Sequence, residues 1–554
     1  MSTQLSFYAI GFNECSNVLL KTQQAILEAY KRGDQKEVER LQAQLVRSFA
    51  ARALAVRKVI TNSGGKTPGI DGEVWTTASD YMAAIMRLKD LSDYRAKPVR
   101  RVYIPKPNGK LRPLGIPTMY DRAVQTLFGF ALLPIAEAMA DKHSYGFRPY
   151  RSVHDCMIYL KLVLGSVTNP RRWILECDIN KFFDNISHEW LLKNVPMNKT
   201  ILRQFLEAGF MDMATFYETT LGTPQGGVIS PILGNMALDG LESALGASFL
   251  MTRYADDFVV LGSSKESLET VAKTRIAEFL AERELALNLE KTKTVNMEEG
   301  FNFLGFHFQE YPDQSRVKGT KQGIFLVKPQ PEKVTGLRRK VKEMVKSHYH
   351  KPLFALVSKL NPVLRGWAEY YAPVTSKKVF TAVGMYVWQV IWKLLRKKHP
   401  SMGLRELKSK YFKNIDGNNW SLCVKDPNGS DIVLYQIGWT MIKRHTICKD
   451  LNPFDPANNE YFQKRVAYGA RKSTVLNRKG LKLLKLQHGK CPVCTMPLLW
   501  EENLEVHHRL SRKSGGSDRL KNLALLHKLC HLQVTHCKEP KLKAVWRSSG
   551  LLLG

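Results

Sequence analysis

The sequence predicts a multidomain α+β protein, and three observations carry that prediction. The chain has 554 residues, where single domains usually hold about 100 to 200. Between about residues 100 and 310, β-branched runs such as "RVYIP", "WILECDI", "YADDFVVLG" and "NFLGFHF" alternate with helical stretches such as "DRAVQTLFGFALLPIAEAMA", the pattern of a modest sheet with helices packed on it. Residues 333–400 turn mainly helical, and residues 491–533 gather cysteines and histidines at metal-ligand spacings.

Taken in order, the segment 25–60 reads as two amphipathic helices, with Asp34 and Glu37 at capping-box spacing before the second. "TNSGGKTPGIDG" (61–72) is rich in turn formers and ends the helix. After the alternating region, "GLRRKVKEMVK" and "FTAVGMYVWQVIWKLLRKKHP" each combine an apolar stripe with a basic face. "DGNNWSLCVKDPNGSD" marks a loop-rich transition, and residues 471–490 hold seven Lys/Arg and no acid.

Composition narrows the function. The hydrophobic fraction is 44 % and the mean hydropathy −0.25, values of a globular chain, and no apolar run is long enough to span a bilayer. No membrane association is expected. The N-terminal residues lack the features of a secretory signal, so the expected compartment is a bacterial cytoplasm, with its nucleoid, or an organelle that encodes the protein. With 83 Lys+Arg against 50 Asp+Glu, the net charge is +33, which points to a polyanion partner held partly through counterion release. Nine cysteines, unevenly placed, do not form a disulfide framework.

"RYADDFVV" (253–260) sets Asp256 and Asp257 in an apolar run, where an unpaired charge is costly to bury. "ILECDINKFFDNIS" repeats the format, with Asp178 closing the apolar Trp173-Ile174-Leu175. Three carboxylates at strand ends suit hard divalent cations, and two such ions suit in-line phosphoryl transfer.

The ordered set "YIPKPNGKLRPLGIPT" (103–118), "SYGFRPYRS" (144–152), "ILECDINKFFDNISH" (174–188), "GTPQGGVISPILGNMAL" (222–238), "YADDFVV" (254–260), "LNLEKTKT" (287–294) and "FNFLGFHF" (301–308) resembles the successive motifs of group II intron-encoded reverse transcriptases. "LAVRKVITNSGGKTPGIDG" is similar to that family's N-terminal extension motif, and "LNPVLRGWAEYY" (360–371) with "KYF" (410–412) to its thumb and maturase domain. The resemblance implies an N-terminal helical extension over 1–60 and right-hand-like fingers and palm over 61–320, with an antiparallel palm sheet. It further implies an α-helical thumb/maturase domain over 321–415, a basic DNA-binding segment over 416–486 and an HNH endonuclease over 487–554.

Residue roles follow from the same resemblance. Asp178, Asp256 and Asp257 hold a catalytic pair of Mg²⁺ ions, joined by the backbone carbonyl of Ile179. Phe183 is the aromatic wall against the sugar 2′-position, with Phe182 as the other candidate. Lys110 and Arg112 clamp the triphosphate of an incoming dNTP, and Gln225 lines the nucleotide beside Gly226 and Gly227. Arg148 and Arg151 suit phosphate contacts, while Tyr145 and Phe147 suit either base stacking or core packing.

At the C-terminus, Cys491-x2-Cys494 and His527-x2-Cys530 offer four ligands for a tetrahedral structural Zn²⁺. "EVHH", "GGSDRLKNL" and "CH" between and beside these pairs resemble the HNH nuclease motif in its zinc-containing, small ββα form. This implies His508 as general base, His507 and His531 as ligands of a catalytic divalent ion, and Asn522 as a residue orienting the surrounding loop. Glu505 shares a strand face with His507 and is placed to assist.

Together these imply a protein that binds its intron RNA and aids splicing, nicks one strand of target DNA, and extends the 3′-OH on the RNA template. The rivals are a non-enzymatic splicing maturase, which degenerate carboxylates would mark, and a retron or defence-type reverse transcriptase, which would lack the thumb motif joined to HNH.

Overall fold

The computed structural model describes residues 6–105, 109, 111–166, 168–213, 215–311, 323–472, 478–498 and 503–553. The N-terminal segment forms α1 (Phe12–Lys31), α2 (Gln35–Arg47) and α3 (Phe49–Thr61). Asp34 caps α2 as its spacing predicts, accepting from the Glu37 N–H at 3.0 Å. The expected second helix is in fact two. Ser48 adopts an extended backbone and its hydroxyl accepts from the Ala51 N–H, ending one helix and capping the next.

After α4 (Ala78–Arg87), β1 (Val99–Pro105) and β2 (Leu111–Ile116) pair as an antiparallel hairpin. The long helix α5 (Met119–Met139) and α6 (Val153–Leu164) follow, then β3 (Trp173–Cys177). Short strands β4 (Phe210–Asp212) and β5 (Thr215–Tyr217) extend the first hairpin into a four-stranded sheet in the order β2-β1-β4-β5.

The central sheet contains β3, β6 (Leu250–Tyr254), β7 (Asp257–Gly262) and β8 (Lys293–Asn296) in the order β6-β7-β3-β8, every neighbouring pair antiparallel. Its strands are apolar on both sides because the sheet lies between two cores. Leu175, Phe258 and Val260 join a cluster with the N-terminal helices, while Ile174, Val259 and Leu261 join the cluster of the downstream helices. Period-2 alternation therefore distributes one strand's side chains between two hydrophobic layers.

Downstream, a three-stranded sheet (Phe301–Phe303, Phe306–Tyr311, Ile324–Pro329) leads into helices Pro331–Ser347, Leu353–Tyr371 and Lys377–Lys398. A small sheet then begins with the hairpin Phe412–Ile415 and Asn418–Lys425, so the expected boundary at 415/416 falls inside a hairpin. The chain next runs back across α6. Asp155 receives hydrogen bonds from the Cys448 N–H at 2.7 Å and Arg465 Nη2 at 2.6 Å and contacts His445 at 3.0 Å. The basic stretch 471–490 lies partly outside the described residues. Among the described residues, all nine cysteines are free and buried, and no helix is long and apolar enough to cross a membrane.

Candidate active sites

The paired aspartates sit at the tip of the β6–β7 hairpin. Tyr254 faces Asp257 across the ladder, leaving Ala255 and Asp256 as the turn. Ala255 takes a φ of +59°, a conformation that costs a non-glycine residue about 1–2 kcal/mol. Its surroundings impose it. The fully buried Arg253 donates from Nη1 to the Ala255 carbonyl at 3.4 Å and pairs closely with the Asp239 carboxylate. From the other side, Gly146 lies so near that a Cβ there would stand 2.3 Å from the Ala255 nitrogen.

Asp178 stands one step beyond the β3–β7 ladder, whose last pair is Cys177 and Phe258, so the register sets it beside Asp257. Its main-chain carbonyl accepts from the Asn288 N–H at 2.7 Å, and Asn180 N–H donates to Ala286 at 2.9 Å. These flanking bonds make the Ile179–Leu287 bridge and leave the carbonyl of Ile179 outside it. Burial raises the Asp256 carboxyl, with Asp178 adding to the effect. Although part of Asp257 reaches solvent, burial and then the charges of Asp256 and Asp178 push it up to about 6. Carboxylates crowded in this way fit a divalent cation, which relieves both the repulsion and the lost hydration. Lys291 Nζ already approaches Asp178 Oδ2 at 2.8 Å. Nothing in the one-dimensional spacing singled out that lysine.

Opposite the turn, Arg112 Nε donates to Gln225 Oε1 at 3.0 Å, and Gln225 Nε2 donates to the Asp184 carboxylate at 3.2 and 3.3 Å. The amide is thus oriented from both ends, and Asp184 is a second residue that sequence reasoning passed over. Gly226 has a φ of +119°, and a Cβ on it would come 2.3 Å from the Gly115 carbonyl, so only glycine fits this approach. Phe182 is buried in the core whereas Phe183 is half-buried, their ring centroids 4.9 Å apart. Lys110 lies outside the described residues.

One expectation is corrected. Arg148 and Arg151 do not face solvent where a phosphate would reach them. Both guanidinium groups are buried against the Glu137 carboxylate, at 3.0 and 3.4 Å, because each places its charge beside the acid that α5 carries inward. Tyr145 is core, while Phe147 is exposed.

In the C-terminal domain, strands Leu504–His508 and Leu523–His527 form an antiparallel hairpin, and helix Lys528–His536 follows. Cys491, Cys494, His527 and Cys530 are all buried, with ligand atoms within 4.8 Å of one another, a donor set that fits Zn²⁺. On the hairpin, Glu505 and His507 share a face with His531: the His507 and His531 rings are 5.3 Å apart and His531 Nδ1 contacts Glu505 Oε2 at 2.7 Å. His507 Nε2 is buried without a hydrogen-bond partner among the described residues. Burial, then His531, pushes its pKa down to about 4, so it is neutral at pH 7, the form a metal ligand needs.

His508 projects from the other face, as strand alternation requires. Its Nε2 contacts Asp518 Oδ1 at 2.7 Å, and Arg512 holds the same carboxylate at 2.9 Å. His508 and Arg512 draw the Asp518 pKa down to about 2. Asp518 was not singled out from the sequence, since an aspartate in "GGSD" reads as an ordinary turn residue. Asn522 accepts from the Leu510 N–H at 2.8 Å and donates to the Leu510 and Ser517 carbonyls, at 3.0 and 2.9 Å, stapling the loop after His508.

The chain is similar to several known proteins and families. The reverse transcriptase (RNA-dependent DNA polymerase) model matches residues 104–308, and the N-terminal domain of reverse transcriptase matches residues 7–88. The HNH endonuclease model matches residues 491–536. Protein YkfC of Escherichia coli K12 is 36 % identical over 299 residues, covering 46 % of this chain and 78 % of YkfC. The group II intron-encoded protein LtrA of Lactococcus lactis is 35 % identical over 236 residues, 40 % of this chain and 38 % of LtrA. The group II intron maturase-specific domain matches residues 334–412. The chain belongs to the group II intron-encoded reverse transcriptase/maturase family. It is a multifunctional intron-encoded protein with reverse transcriptase, maturase and HNH endonuclease domains. Its match spans well under half the length of LtrA. Among solved structures, telomerase from Candida albicans with a fragment of telomeric RNA aligns over 56 % of this chain and 63 % of its own, at TM-score 0.32 and 14 % identity. That likeness is too distant to carry an argument.

Proposed function

We propose that this protein copies its own intron RNA into DNA at a nicked target, and that it also assists the splicing of that RNA. The observation that carries the polymerase reading is the convergence of Asp178, Asp256 and Asp257 at the open end of one antiparallel sheet. Asp178 and Asp256 would be the direct ligands of the Mg²⁺ pair, with Asp257 and the Ile179 carbonyl completing the set. Mg²⁺ bound there would activate the primer 3′-OH and steady the leaving phosphate oxygen. Phe183, the half-buried ring of the two, walls off the sugar 2′-position. Gln225, with its amide oriented by Arg112 and Asp184, lines the nucleotide, and Arg112 with Lys110 holds its phosphates.

In the nuclease, His507, which is neutral at pH 7, and His531 would hold a divalent ion, with Glu505 orienting His531 from the same face. Donation of His508 Nε2–H to Asp518 leaves Nδ1 as the bare nitrogen that takes a proton from water. The Cys491, Cys494, His527 and Cys530 set holds structural zinc. The domain order is a helical extension, fingers and palm, thumb/maturase, basic DNA-binding segment and HNH nuclease, acting on intron RNA, target DNA and dNTPs in a bacterial cytoplasm or an encoding organelle.

Primer extension on an RNA template with Mg²⁺ tests the polymerase. Wild type should extend and Asp256→Ala should not; equal synthesis by the two would sink the assignment. For the nuclease, His508→Ala should stop nicking and spare extension, and a persisting nick removes His508 as the base. Sequencing of RNA that co-purifies with the protein should return a single intron.

A further inference from the structure

The Cys3His set brings four metal-ligand atoms within 4.8 Å of one another, and a residue from the far end of the chain reaches into it. Arg57, on α3, is 1 % exposed. Its Nη2 lies 3.4 Å from Cys494 Sγ, 3.3 Å from Cys530 Sγ and 3.3 Å from His527 Nδ1, on the face that those three residues make. The guanidinium carbon stands 4.8 Å from the ring centroid of Phe12, on α1. Two further contacts join the same regions. Gln533 Nε2 donates to the Ile10 carbonyl at 2.5 Å, and the rings of Tyr8 and His536 lie 5.7 Å apart.

Charge explains why a guanidinium belongs there. A divalent ion held by three thiolates and a neutral imidazole carries one net negative charge, and all four ligands are buried. An uncompensated charge is expensive to bury, for the metal complex and for Arg57 alike. Brought together, each neutralises the other. Donors to metal-bound sulfur also tune ligand basicity and metal retention.

We infer that Arg57 makes the Cys3His centre a joint between the nuclease domain and the N-terminal helices, so that metal binding and docking of the two are one equilibrium. Zinc supplies the anionic face that Arg57 needs, and Arg57 supplies the countercharge that holds zinc. Loss of the metal then loosens α1 and α3, which belong to the reverse transcriptase part, as well as the nuclease itself. A zinc knuckle serving only its own domain would show no such reach.

The inference rests on the Cys3His set holding zinc, and the experiment separates the two. Hydrogen–deuterium exchange of the full-length protein is compared before and after zinc is stripped by a chelator, and zinc release to a colorimetric chelator is timed. Stripping should raise exchange at least tenfold in α1 and α3 together with residues 491–536. Arg57→Met should release zinc roughly 10- to 100-fold faster than wild type, with Arg57→Lys between them, since an ammonium keeps the charge but not the planar fork. Unchanged exchange in α1 and α3 after stripping, or wild-type zinc retention in Arg57→Met, overturns the joint while leaving the zinc site standing. Wild-type protein that holds no zinc overturns both. Should Arg57→Met fail to fold, the stripping of wild type decides alone.

Discussion

At the scale of single residues, the polymerase site is an arrangement of charges and one ring. Phe183 and Phe182 are adjacent, and the sequence left both open as the wall against a ribose 2′-OH. Burial separates them: Phe182 fills the core and Phe183 is half-buried. Phe183→Val should therefore admit ribonucleotides, lowering discrimination by roughly 10- to 200-fold, as measured by competing dNTP and rNTP incorporation, whereas Phe182→Val should lower stability instead. The three acids were legible because two apolar strand ends of the same format, read together, leave few innocent explanations. Lys291 and Asp184 were not, since an exposed lysine or aspartate inside a longer motif looks like any solvated side chain until a partner is placed against it.

At the scale of elements, the catalytic hairpin is held from outside. Residues 143–145 run parallel to the end of β6, with the Tyr145 N–H donating to the Arg253 carbonyl at 2.9 Å, and Gly146 leaves no room for a side chain. Gly146→Ala should displace the turn and slow primer extension by about 100-fold, the scale of a roughly 1 Å misplacement, while circular dichroism stays native. A second element, the return segment 443–465, is fastened through Asp155. Burial alone would raise that carboxyl, but His445 and Arg465 outweigh it and bring the pKa down to about 2 from 3.8. A depressed folded value means the contribution is intact above about pH 4 and is lost as pH falls toward 2, with a size of about 2 kcal/mol. Asp155→Asn should lower the urea midpoint at pH 7 and flatten its pH dependence between 4 and 2. The helices and strands of this region were legible from period and turn residues. That Arg148 and Arg151 are buried ion-pair partners was not, because they look like phosphate ligands until α5 brings Glu137 beneath them.

At the scale of the whole molecule, the net charge of +33 predicts RNA binding that weakens steeply with salt. With six to ten phosphate contacts, affinity should fall about 10³- to 10⁵-fold between 50 and 200 mM salt; a flat salt profile in filter binding would contradict that footing. The order of domains could be read from motifs alone, since each motif is local in sequence. Which domains share a core could not, because such contacts join residues hundreds of positions apart and leave no periodic trace.

The bond between Gln533 and the Ile10 carbonyl spans 523 residues, and it has a consequence for biosynthesis. At about 5–20 residues per second, the N-terminal helices leave the ribosome roughly half a minute to two minutes before the segment that covers them exists. During that interval Phe7 and Phe12, both fully packed in the finished fold, have only part of their final surroundings. Until residue 533 has been made, those two rings lack the partner that closes over them.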